Sequence, residues 1–329
     1  MSLSKKVKTA LDETRLLILG AQVLFGFELS SVFQDAFSEF SQTSRLLVCA
    51  GQVLMAFSIG LLIAPSMQHR IVEGGQDTIR IHNMTGLFAG LGLLPFAVSL
   101  AIGIYLIFDR VFGAPAGAIA AALCCALAAL SWYGLEFWLH RPGRRKPMQE
   151  PARATALPQR IEQMLTEARI IVPGVQALFG FQFTMTLTRA FEQLPYTSKL
   201  IYVVALCCVA VAVILLMTPA ALHRITYGGE DTPEFFRLGS AFVIAAPAPL
   251  AVAIGGDLYV AIARASESTE LGVALSVIAF AALAGLWYAL PLALRYKAGL
   301  AVLLRFTRPR PAPRGRLPRR TAPRSGSLG

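Results

Sequence analysis

The sequence predicts an all-α protein, a polytopic transmembrane helical bundle of eight spans arranged as two parallel four-helix repeats. Three observations carry that reading. The 329 residues are 55% hydrophobic and only 15% charged, with a mean hydropathy of +0.59, outside the balance of an ordinary soluble domain. Residues 46–65 and 200–219 are uncharged runs of 20 residues, and at about 1.5 Å per residue each reaches about 30 Å, the thickness of a hydrocarbon core. The chain also repeats itself at an offset of 154 residues, and such a period marks a duplicated unit. Unbroken apolar runs of this length lack the two-residue alternation of a membrane barrel.

Taken in order, the apolar runs predict spans at about 16–33, 46–65, 84–108, 114–139, 170–187, 200–219, 238–263 and 271–294. The first and fifth are the weakest, because Glu28 and Gln182 interrupt them. The first run lacks a small-x-small cleavage site and reads as an uncleaved span. With the N-terminus in the cytoplasm, 25 of the 30 Lys and Arg residues fall on the inner side and five on the outer. That split places both termini inside, in a bacterial cytoplasmic (inner) membrane, and requires an even number of spans. The net charge of +11 thus belongs to a membrane surface; no aromatic interleaving suggests nucleic acid.

Each repeat holds four spans, so both point the same way, and a pseudo-twofold axis along the membrane normal should relate them. The expected organisation is a first repeat over 1–139, a basic cytoplasmic linker over 140–160, a second repeat over 161–298 and a basic disordered tail over 299–329. The expected partners are membrane lipids, with anionic headgroups attracted to the linker and tail; a homo-oligomer is compatible with the pattern.

The most motif-like stretch is Pro65-Ser66-Met67-Gln68-His69-Arg70-Ile71-Val72-Glu73-Gly74-Gly75-Gln76-Asp77-Thr78, which returns as Pro219 to Thr232 with His223-Arg224, Gly228-Gly229 and Asp231. Paired glycines supply a tight turn, and Asp231-Thr232-Pro233-Glu234 reads as a capped helix start, so Asp77-Thr78 should cap the third span. His69-Arg70 and His223-Arg224 then sit at helix C-termini as interfacial cations. Beside them fall Glu13-x-Arg15 and Glu167-x-Arg169, where Glu complements a helix dipole and Arg snorkels to phosphate; the hairpin is expected to be the cytoplasmic joint of each repeat and to engage these pairs.

Inside the spans, Gln22 and Gln176 lie among glycines that permit close helix approach, and interhelical hydrogen bonding is the expected role. Glu28 lies about 20 Å along its helix from Arg15, and its counterpart is the neutral Gln182. An ionisable group there is a functional candidate; the alternative is a carboxylate reaching the outer interface or Arg45. Asp257 and Glu136 sit nearer span ends and read as interfacial. The five cysteines (Cys49, Cys124, Cys125, Cys207, Cys208) all fall in apolar runs and form neither a disulfide framework nor a zinc pattern. No phosphate-binding, metalloprotease, nucleophile-elbow or dinucleotide motif occurs. The expectation is a non-enzymatic membrane protein with no catalytic residues, cofactor or metal, structural or regulatory in role. The alternative is a small-solute or proton-coupled transporter using Glu28, Gln22 and Gln176 at the repeat interface.

Three motifs extend this reading: Glu13-x-Arg15, Gly20-x-Gln22-x-Leu24-Phe25-x-Phe27 and Ala64-Pro65-x-x-x-His69-Arg70. They return with Glu167, Arg169, Gly174, Gln176, Phe179, Phe181, Pro219, His223 and Arg224, but with Thr218 in place of the alanine. The pattern resembles an uncharacterised bacterial family of four-helix integral membrane proteins, a domain of unknown function, here in tandem duplicate. The resemblance covers both repeats and implies parallel dimers among single-unit relatives; it implies no activity.

Overall fold

The computed structural model describes residues 3–134 and 154–297. Glu136, most of the linker and the C-terminal tail lie outside the described residues.

Among the described residues, eight long helices run in the expected order. In the first repeat, α1 is Leu3–Ser31, α2 Gln42–Ile71, α3 Ile79–Phe112 and α4 Ala114–Gly134. In the second, α5 is Leu157–Met185, α6 Tyr196–Ile225, α7 Pro233–Ser266 and α8 Thr269–Lys297. Six of these, all but α1 and α5, are long and apolar enough to cross a membrane.

Helices α1 and α5 start well before their apolar runs. Leu3, Val7 and Leu11 form a stripe at helical spacing that packs against Ile81 with Ile79 alongside. Ile161, Met164 and Ala168 do the same against Phe235 and Val243. Each helix is therefore amphipathic for its first turns and apolar thereafter. Helix α5 also starts inside the stretch expected to be linker.

Helices α2 and α6 run through Pro65 and Pro219, where the expected spans stopped, to Ile71 and Ile225. Proline removes one N–H and crowds one carbonyl; the remaining bonds of the last turns still form. His69-Arg70 is thus helical, and the turn proper begins at Val72. Gly74 and Gly75 take positive φ values of 58° and 80°, and Gly228 and Gly229 take 57° and 88°, the left-handed region that glycine enters without penalty. The caps of α3 and α7 are Thr78 and Thr232, whose hydroxyls accept from Ile81 N and Phe235 N, both at 3.2 Å. The neighbouring Asp77 is left free for other partners.

Helices α1 and α5 lie parallel along the centre. Residues equivalent at the 154-residue offset meet there: Lys8 pairs with Glu162 at 2.6 Å, and Phe27 packs on Phe181 with ring centroids 4.5 Å apart. A Cβ on Gly26 would strike the Phe181 ring, and one on Gly174 would strike Gln22 Oε1. Equivalence also holds at the far ends of α4 and α8, where each helix makes a π turn at its Trp-Tyr pair. Tyr133 Oη donates to Gly90 O at 2.6 Å and Tyr288 Oη to Ile244 O at 2.7 Å, equivalent bonds in the two repeats.

The two halves differ at α2 and α6. Helix α2 is buried on both sides: Gly51 and Ser58 face α3 of its own repeat, and another face packs against α7 and α8 of the other repeat. Trp287 Nε1 donates to Gly60 O at 2.9 Å, and Leu283 leaves no room for a Cβ at Gly60. Helix α6 is rich in Val, Leu and Ile and packs against α5 and α7 of its own repeat; Ile214 and Met217 are exposed on it. Small residues admit a neighbouring backbone, whereas branched ones fit hydrocarbon.

Candidate functional site

The polar motifs converge at the end of the bundle that carries the two double-glycine turns. Arg15 is 1% exposed; its Nη1 bonds Asp12 Oδ1 at 2.5 Å and its Nη2 lies 3.4 Å from Glu167 Oε2. Arg70, from the last turn of α2, donates through Nη2 to the same Glu167 oxygen and through Nη1 to Ser240 Oγ at 3.4 Å. One buried carboxylate from the second repeat is thus shared by two buried guanidiniums from the first. Burial pushes the Glu167 carboxyl up, but the Arg70 and Arg15 cations outweigh it and hold it below the ordinary carboxylate range. Expectations of a dipole-complementing Glu167 and a snorkelling Arg15 are overturned. A guanidinium that finds a buried carboxylate does not need lipid phosphate.

Asp77 forms the second half of the cluster. It accepts from Ser4 Oγ at 2.6 Å, Thr155 Oγ1 at 3.3 Å and Gln163 Nε2 at 3.2 Å, while its own N–H donates to Thr155 Oγ1 at 3.0 Å. His69 Nε2 stands 3.8 Å from Asp77 Oδ1, and neither ring nitrogen has a hydrogen-bond partner. His69 and Arg70 are therefore interior groups, not interfacial ones. Only the second copy keeps the expected exposure. Arg224 and Asp231 are exposed, and half-buried His223 rests on Phe235 with Nε2 3.4 Å from Asp231 Oδ1. Glu13 and Arg169 are likewise exposed.

Ser4, Thr155 and Asp12 are cluster members that sequence reading did not single out. Gln163 carried a signal, since it sits one turn before Glu167 on the same helix face.

Deeper in the bundle, Gln22 is buried against Gly174 across the repeat interface, its amide atoms without hydrogen-bond partners. Gln176 is not at that interface: it is exposed, with Nε2 3.8 Å from Met217 Sδ of its own repeat. The same repeat position thus turns toward the other repeat on α1 and toward α6 of its own repeat on α5.

Glu28 faces packed protein. Ser99 Oγ of α3 lies 2.5 Å from Glu28 Oε1 and 2.9 Å from Gly51 O, and Gln52 Nε2 donates to the Glu28 carbonyl at 2.8 Å. Arg45 pairs with Glu267 at 2.9 Å instead. In the second repeat Gln182 Nε2 reaches both Asp257 oxygens, at 2.8 and 2.7 Å, and Tyr202 Oη donates to Gln182 O at 3.1 Å. Asp257 is fully buried, not interfacial as its place near a span end suggested; the amide of Gln182 supplies the donor that makes burial tolerable. Among the described residues no group of three or more His, Cys, Asp or Glu is placed to hold a metal.

Nothing among curated proteins or solved structures matches the chain. A family model described as "Family of unknown function (DUF6328)" matches twice, over residues 2–136 and 152–291. The two matches divide the chain as the Gly74-Gly75 and Gly228-Gly229 turns do, one turn to each. The chain belongs to this family of unknown function and carries its domain in tandem duplicate.

Proposed function

We propose that the chain is an eight-span, non-enzymatic protein of a bacterial cytoplasmic membrane, with both termini and both double-glycine turns inside. Its polar motifs hold the two repeats together in a structural or regulatory role. At 29 residues each, α1 and α5 reach about 43 Å. That length allows a crossing by their apolar halves and an amphipathic extension into the cytoplasm. The meeting of equivalent residues along them supports a local twofold axis.

The observation that carries the reading is the shared Glu167. The motif residues Arg15, Arg70 and Glu167 satisfy one another across the repeats. Glu28 and Asp257 are bonded within their own repeats, to Ser99 and Gln182. The second reading, proton-coupled or small-solute transport, draws on those same two acids within apolar helices.

Proteoliposome flux separates the two readings. Wild type and Glu28→Gln should show the same proton permeability and the same thermal stability. A proton or solute flux that depends on Glu28 would overturn the structural reading in favour of transport. Orientation is tested with single cysteines in a cysteine-free background and an impermeant maleimide. Gly228→Cys should react only after permeabilisation and Gln34→Cys in intact cells; the opposite pattern rejects the assignment.

A further inference from the structure

One cavity at the turn end is lined by two arginines, Arg160 and Arg237, that the repeat-holding contacts do not use. It measures about 310 Å³ and lies where α7 meets the Gly74-Gly75 turn and the first turn of α5. Three arginines line it: Arg70, Arg160 and Arg237, together with Ser240, Phe236 and Ile244. No acidic side chain lines it among the described residues; the one carboxylate bound to these arginines, Glu167, touches Arg70 alone.

Arg70 is paired with Glu167, whereas Arg160 is held in place without a carboxylate partner among the described residues. Arg160 stacks on the Phe236 ring with Cζ 4.2 Å from the centroid and donates to Gly74 O, a carbonyl that carries no net charge. Its Nε is buried with no hydrogen-bond partner, and so is the Nε of Arg70, whose side chain is 3% exposed. Burial first, and then the nearby Arg70 cation, press the Arg160 guanidinium below its ordinary pKa. Arg237 is exposed and has no ion pair among the described residues. A Cβ at Gly75 would sit 3.1 Å from the Phe236 ring and 3.3 Å from Arg160 Nε, so the turn closes on these two groups without room for a side chain.

The site forms once, not twice. At the 154-residue offset Arg160, Phe236, Arg237 and Ser240 become Lys6, His82, Asn83 and Gly86, and Gly228 and Gly229 have no neighbour within 4 Å of a Cβ. Arg70 has its counterpart in Arg224, but Arg160 and Arg237 have no arginine counterpart at the other turn.

We propose that this cavity binds a phosphate group at the membrane surface, carried either by an anionic phospholipid headgroup or by a soluble phosphate. Guanidinium forks match phosphate oxygens in geometry as well as charge. The apolar wall of Phe236 and Ile244 continues along α7 toward its apolar run and could follow the glycerol and first acyl carbons of a lipid. The proposal takes the turn end as a membrane surface from the reading above. Binding in detergent does not depend on which side of the membrane that end faces, so failure of one does not decide the other.

The test uses the full chain, purified and delipidated in neutral detergent, with thermal stability and native mass spectrometry as readouts. Dioleoyl phosphatidic acid in mixed micelles, inorganic phosphate, and dioleoyl phosphatidylcholine are titrated separately. The double variant Arg160→Gln/Arg237→Gln should weaken binding at least about tenfold, whereas Arg224→Gln, at the other turn, should bind as wild type does. Both variants keep the basic linker and tail, so loose attraction of lipid to those segments is the same in each. Stabilisation and one retained lipid with phosphatidic acid alone identify the lipid source; an equal response to inorganic phosphate identifies the soluble one. No saturable response to either, or a response that survives the double variant, overturns the proposal.

Discussion

Glu167→Gln is the perturbation with the sharpest expectation, because the chain contains its own control. The substitution removes one charge and almost no volume, leaving Arg15 and Arg70 buried with a neutral amide between them. At 3.4 Å the Arg15–Glu167 attraction is about 5 kcal/mol at an effective dielectric of about 20, and the Arg70 contact is closer. Much of that offsets desolvation of the three groups. The net loss on removing one partner of a buried pair is about 3–5 kcal/mol, since the remaining charges lose their compensation. Arg15 retains Asp12, which is only partly buried; Arg70 retains only the Ser240 hydroxyl. In detergent this corresponds to a fall in melting temperature of roughly 10 °C. Glu13 holds the same motif position in the first repeat but is exposed, so Glu13→Gln should change stability by no more than about 0.5 kcal/mol. Replacing the whole triad by apolar residues (Arg15→Met, Glu167→Leu, Arg70→Met) should recover most of the loss, because no orphan charge then remains. Equal costs at Glu13 and Glu167, or an unchanged melting temperature in Glu167→Gln, would refute the reasoning.

Two further outcomes follow from the same geometry. The Glu167 carboxyl titrates lower in the folded state than in the unfolded chain, so its contribution is fully present above the ordinary Glu value of about 4.3. It is lost as pH falls through the lower, folded value. Melting temperature should therefore decline with acidification below about pH 4.3 in wild type and less steeply in Glu167→Gln; parallel curves would contradict the assignment. Gly26→Ala should destabilise, because the added methyl meets Phe181, whereas its counterpart Gly180→Ala meets nothing within 4 Å. Equal melting temperatures for the two variants would show that α1 and α5 do not approach as described.

Much of this protein is legible along its chain. Hydrophobic run length, the double glycines and the 154-residue offset are local properties, and they located eight helices, the two turns and the duplicated motifs. Helix ends were less legible. The amphipathic starts of α1 and α5 carry charges that break an apolar window, and helices run past Pro65 and Pro219 because a proline disturbs only its own turn. The cap was legible to within the pair Asp77-Thr78, and only the backbone geometry chooses Thr78 over Asp77.

What the duplicated motifs do was decided by the tertiary structure. Sequence treats Glu13 and Glu167, His69-Arg70 and His223-Arg224, Gln22 and Gln176 as equals. The fold buries Glu167, His69, Arg70 and Gln22 and exposes Glu13, Arg224 and Gln176. The physical cause is the packing of α2 against α7 and α8 of the other repeat, close at Gly60, while α6 packs chiefly within its own repeat. A period along the chain reports what each unit can form by itself. Which copy of a charge finds a buried partner depends on the one packing of the two units that fills the interior, and no local signal records it.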